Sequence, residues 1–171
     1  MSVPPQDFDF DAWLDGADKP QRSVTVYQKA GLIADLDELA AKIEHAEPDD
    51  EVDGPSMGGG VQKLRAEYAK LAQQFHDSAL TIRVQGLDED ERLAIQEADP
   101  KLEGRALTYK ILAEALVSPR ATPAQVEKLK ARIGEAQFLG ILAAFHQANN
   151  EVPVVSADFL PKSSTRGDGD E

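Results

Sequence analysis

The chain has 171 residues, and its 31 Asp and Glu outweigh its 18 Lys and Arg to give a formal net charge of −13. That balance argues against nucleic acid as the main partner, because phosphate binding draws on clustered basic charge, and the length suits one domain with tails. No cysteine is present, which removes disulfides, thiolate metal sites and thiol catalysis together.

Residues 1–21 read as an acidic aromatic arm. Asp7-Phe8-Asp9-Phe10 alternates acid and aromatic, Ala12 to Leu14 break the alternation, and a short helix is the most the segment supports. Its first eleven residues hold no basic residue and no apolar stretch, so both parts of a secretory signal are missing. The longest apolar run, Phe138 to Phe145, is far shorter than the ~20 residues of a membrane helix. The expectation is a soluble protein that is not exported and does not engage a membrane.

Residues 22–150 read as one helical domain. Val24-Thr25-Val26-Tyr27 is β-branched and aromatic, and Leu80-Thr81-Ile82-Arg83-Val84 alternates apolar and polar, so both predict short strands. Between them Leu32, Leu36, Leu39 and Ile43, then Val61, Leu64, Tyr68, Leu71 and Phe75, recur at steps of three and four. These are apolar stripes of heptad type and predict an antiparallel helical hairpin over 28–76. The link, residues 47–60, combines two prolines, four glycines and a run of acids, and reads as an acidic loop.

Back-half helices are expected over 88–149. Asp88 and Glu91 have capping-box spacing, and that helix must end before Pro100. A further helix runs from about Glu103 to Val117. Thr122-Pro123-Ala124-Gln125 sets a threonine cap, a proline at the first helical position and a glutamine at the third. Gly134 either breaks or bends this helix, and Phe138, Ile141, Leu142 and Phe145 continue with helical spacing. Residues 151–171 are expected to be an extended, partly disordered tail. The fold class is therefore mainly α (α+β): a helical bundle with an antiparallel helical hairpin inserted between two short antiparallel β-strands.

No constellation for chemistry emerges. Gly54 and Gly59 have P-loop separation, but Gly60 and Val61 stand where the motif needs lysine and a hydroxyl. His45, His76 and His146 stand alone near helix ends, without the short spacings of a zinc site. Asp88 to Glu91 lie in a helix's first turn, where acids favour the dipole, and they lack the alternation and glycine of a calcium loop. No serine occupies a G-x-S-x-G turn. Lys128, Lys130 and Arg132 complement the closing turns of a helix. Neither enzymatic activity nor any catalytic residue, cofactor or metal is expected.

The informative oddity is the arm. Phe8, Phe10 and Trp13 are costly to expose, so they dock on the chain's own core, the favoured expectation, or on a partner. Phe159 and Leu160 in the tail face the same choice. These five residues are the candidate partner-binding set.

The order of parts, with Phe10-Asp11-Ala12-Trp13-Leu14, Arg22-Ser23-Val24-Thr25-Val26-Tyr27, an acid-linked helical pair, Ser78-Ala79-Leu80-Thr81-Ile82-Arg83-Val84 and a helical back half, resembles the tail assembly chaperones of long-tailed (siphovirus-type) actinobacteriophages. The similarity covers roughly residues 7 to 161. It implies a protein that binds the tape-measure protein, keeps it soluble and promotes tail tube assembly in the host cell cytoplasm. It also implies a longer chaperone product, made by programmed frameshift, as a second partner; the length and ending of this chain suit the shorter product. Apolar stripes that one hairpin does not fully cover leave room for a homo-oligomer. The alternative is a helical structural adaptor or tail-completion subunit retained in the virion.

The charge is unevenly placed. Residues 1–21 carry −4, 44–53 carry −6, 88–99 carry −5 and 167–171 carry −3, so the rest of the chain is +5. The acid gathers at the arm, the loop, one helix start and the tail.

Overall fold

The computed structural model of the chain describes residues 8–46 and 58–155. Phe159, Leu160 and most of the acidic loop lie outside them. Among the described residues the fold is mainly α, seven helices with one small antiparallel sheet.

The strand pair sets the frame. β1 (Gln21–Tyr27) and β2 (Ala79–Gln85) run antiparallel in unbroken register from Gln21 opposite Gln85 to Tyr27 opposite Ala79. Side chains at Val24, Val26, Ile82 and Val84 point to the core face, and Ser23, Thr25, Thr81 and Arg83 lie on an open polar face. Both strands outrun their apolar stretches because pairing carries the polar ends along.

A third strand, β3 (Leu116–Ser118), extends the sheet in the order β1-β2-β3. It corrects the helix expected to reach Val117. Helix α5 (Gly104–Ala115) stops at Ala115, and Leu116 turns to extended backbone, where it pairs with Val84 and is buried. Tertiary pairing here overrides a local helical pattern.

The first helical piece, α1 (Phe10–Asp15), belongs to the arm. The hairpin is α2 (Leu32–Ala46) and α3 (Gly58–Asp77), inserted between β1 and β2. Leu39 and Val61 are buried in its seam, with Leu32, Leu36, Leu64 and Leu71 half-buried around them. Gly58 to Gly60, expected in the loop, are helical instead. First-turn N–H groups have no intrahelical acceptor in any case, and Val61 directly after them is held by the seam. At the hairpin's foot Tyr27 stacks on Phe75 with ring centroids 4.1 Å apart. Away from that foot the two helices pack chiefly on each other.

The back half closes the core. α4 (Glu89–Ala98) begins at a complete capping box, with Asp88 accepting the Glu91 N–H at 2.8 Å and Glu91 accepting the Asp88 N–H at 2.9 Å. α6 (Pro123–Ile133) begins at the Thr122 and Gln125 box. Gly134 breaks the helical run: its φ of 85° is a conformation that favours glycine, and α7 (Glu135–Asn150) starts afresh after it. α7 lies across β1 and β2, and Phe138, Ile141 and Ala144 meet Val26, Ile82 and Val84, with Leu112, Leu116 and Val126 completing the cluster.

Two polar contacts fix α7 along the sheet. Near its start, the Gln137 amide accepts the Tyr27 N–H at 2.6 Å and donates to the Tyr27 carbonyl at 3.1 Å, standing in for a neighbouring strand at the sheet edge. Near its end, Asn149 accepts the Leu87 N–H at 2.8 Å. There Gly86 approaches α7 so closely that a Cβ would lie 2.8 Å from the Ala148 carbonyl oxygen.

Candidate partner-binding surfaces

The arm is built locally. The Asp9 side chain accepts the Ala12 N–H at 3.0 Å, a cap that starts α1 and projects Trp13 near Phe10. The Phe8, Phe10 and Trp13 rings pack on one another with centroids 6.0 to 6.3 Å apart. They do not reach the core, which corrects the docking expected for them. Phe8 is 43% exposed, Phe10 59% and Trp13 55%, and Leu14 beside them is 48% exposed. The physical reason lies in the arm's root: Lys19 bridges Asp88 at 3.2 Å and also reaches Glu91, while the Pro20 carbonyl accepts the Gly86 N–H. This holds the arm at the α4 end of the sheet.

The Lys19 site is the one place among the described residues where a pKa clearly moves. Its ammonium is raised, chiefly by the hydrogen bond to Glu91 and further by Asp88. The Asp88 carboxyl is lowered, chiefly by the Glu91 N–H that it accepts and next by Lys19. All three groups are exposed, so screening by water keeps the energy small.

A second surface has no sequence signature. Where α6 passes β2 it leaves a groove of about 540 Å³, which continues into a hollow of about 280 Å³ beside β3. Leu80, Leu129 and Ile133 form an apolar floor, and Leu80 is 42% exposed. Lys128 and Arg132 stand at the rim of the groove and Arg120 at the hollow. None of these three cations makes an ion pair among the described residues. Sequence reasoning missed the groove because its walls lie some fifty positions apart in the chain; only the basic spacing of Lys128 and Arg132 hinted at it.

The sequence-derived set is thus divided. Phe8, Phe10 and Trp13 come together, and Phe159 and Leu160 lie outside the described residues. Just before them, Val152, Val154 and Val155 are 77 to 81% exposed. On the hairpin, Ile33 and Tyr68 are exposed. Among the described residues no polar or charged side chain is buried, and no three His, Asp or Glu gather as a metal-binding group. No described helix is long and apolar enough to cross a membrane. Comparison with protein-family models, with curated proteins and with solved structures gave no match.

Proposed function

We propose that the protein is a tail assembly chaperone of a long-tailed bacteriophage, a non-enzymatic protein that binds the tape-measure protein in the host cytoplasm, keeps it soluble and promotes tail tube assembly. The observation that carries this reading is the exposed cluster of Phe8, Phe10 and Trp13 on an arm that interleaves them with Asp9 and Asp11. A chain that holds an aggregation-prone client needs apolar surface to bind it and strong charge to keep the complex apart from its neighbours. The arm supplies both within eight residues, and residues 44–53 and 167–171 add further negative charge to the chain. The order of parts that resembles this family supports the same reading, and so do the exposed valines that lead toward Phe159 and Leu160. A longer frameshifted product is the second proposed partner.

Co-expression tests the proposal. A tape-measure protein co-expressed with this chain is expected in the soluble fraction with the intact chain and in the pellet with the Phe8→Ala, Phe10→Ala, Trp13→Ala triple variant. Equal solubility in the two sinks the role of the arm. The protruding hairpin favours a second reading, a structural adaptor retained in the virion. Mass spectrometry of purified particles separates the two, since a chaperone is missing from them.

A further inference from the structure

We propose that the groove between β2 and α6 is a binding site for an acidic aromatic segment, and that its occupant is the arm of a second copy of this chain. The inference does not rest on the chaperone reading. It starts from two surfaces that are each incomplete. The arm presents three aromatic rings and Leu14 to solvent, interleaved with Asp9, Asp11 and Asp15. The groove presents the complement, an apolar floor of Leu80, Leu129 and Ile133 under Lys128 and Arg132, with Arg120 farther along.

The match is one of charge and of apolar surface. An aromatic ring seated over Leu80 and Leu129 removes apolar area from water on both partners. The aspartates of the arm would meet cations that have no other partner among the described residues. One acid, Asp77, sits at the groove's mouth, and it already accepts a hydrogen bond from Gln73 at 2.6 Å.

The position of the arm decides which copy supplies it. The chain's own arm is tied at the α4 end of the sheet, where Lys19 bridges Asp88 and reaches Glu91 and the Pro20 carbonyl accepts the Gly86 N–H, and its rings stand in solvent. The groove is lined by Gln28 and Ser78, which meet at the opposite end of the β1 and β2 pair. An arm held in that place is presented to a neighbour's groove rather than to its own. Two copies that exchange arms about a two-fold axis fill both grooves and close the assembly.

The test uses the purified full chain without any client, so its failure is separable from failure of the co-expression experiment. Sedimentation equilibrium is run across a concentration series alongside the emission of Trp13, the one tryptophan. A dimer whose formation shifts that emission to the blue is expected. Lys128→Glu with Arg132→Glu, at exposed positions of α6, should weaken the dimer at least tenfold. Asp11→Lys with Asp15→Lys in the arm should do the same, and combining the four changes should restore most of the affinity. Circular dichroism and melting curves verify that each variant is folded. A monomer at every concentration overturns the proposal, and so does a blue shift without dimerisation, the mark of an arm reaching its own groove. A dimer indifferent to both charge reversals overturns it too, placing the interface elsewhere.

Discussion

The hairpin of α2 and α3 and the body of residues 79–150 are both largely helical, yet they are held together in different ways. In the hairpin only Leu39 and Val61 are buried among the described residues, and the rest of the stripe is half in water. In the body, one cluster joins three strands to α5, α6 and α7, and Ile141, Val84 and Val126 are fully enclosed. A two-helix seam loses its cover wherever either helix frays, whereas a core shared by six elements is lost only as a whole. The two regions should therefore open with different free energies, and the hairpin is the part able to change shape while the body stays folded.

Single substitutions put that contrast to the test. The largest effect is expected from Ile141→Ala, about 2–5 kcal/mol of global stability, since the body closes on this side chain from several sides. Leu39→Ala should cost less than half as much in urea unfolding, and hydrogen exchange should show faster opening of α2 and α3 while β2 and α7 stay protected. Equal acceleration in both regions would mean that they form one cooperative unit. An intermediate effect is expected from Gly86→Ala, about 1–3 kcal/mol, because the new Cβ meets a backbone oxygen that cannot turn aside. Its melting temperature should fall, with the hairpin's exchange unaltered.

The smallest effect concerns the root of the arm. The Asp88 carboxyl is lowered in the folded protein, so its contribution is present at neutral pH and lost as pH falls below the ordinary carboxylate value of about 3.9. Lys19 is raised, so its contribution is present below its ordinary value of about 10.4 and lost as pH rises beyond it. Lys19→Met should lower stability slightly near pH 7, where the contribution is present, and its difference from the unchanged protein should shrink as pH falls below about 3.9 or rises beyond about 10.4. A change in midpoint at pH 7 as large as that of Gly86→Ala would show that the arm is part of the core after all.

Legibility in the sequence tracks the range of the interactions. The stripes from Leu32 to Ile43 and from Val61 to Phe75, and the caps at Asp88 and Thr122, act over three or four positions, and the chain displays them directly. The alternation around Thr81 and the β-branched run at Val24 likewise mark two strands. β3 escaped because Leu116 continues the helical spacing of Leu107, Ile111 and Leu112, and only pairing with Val84 and Arg83 makes a strand of residues 116–118. The arm's exposure escaped for a related reason. Its aromatic residues state that apolar surface exists, but where the arm is tied is decided by Lys19 and residues about seventy positions later. The groove is the extreme case, since Leu80 and Leu129 become neighbours only once α6 has packed.

The direct pairing of Tyr27 with Ala79 has a kinetic meaning. Everything between them, residues 28–78, leaves and returns through one adjacent pair of positions, so the sheet can form only after a long segment has brought its ends together. An unstructured loop of that length makes the encounter slow and entropically costly. A helical hairpin that formed first would deliver the two strands to each other and shorten the search. The same geometry frees the hairpin's far tip from the sheet's register. Turns of helix added or removed in α2 and α3, in matched pairs, would leave the register of β1 and β2 as it is.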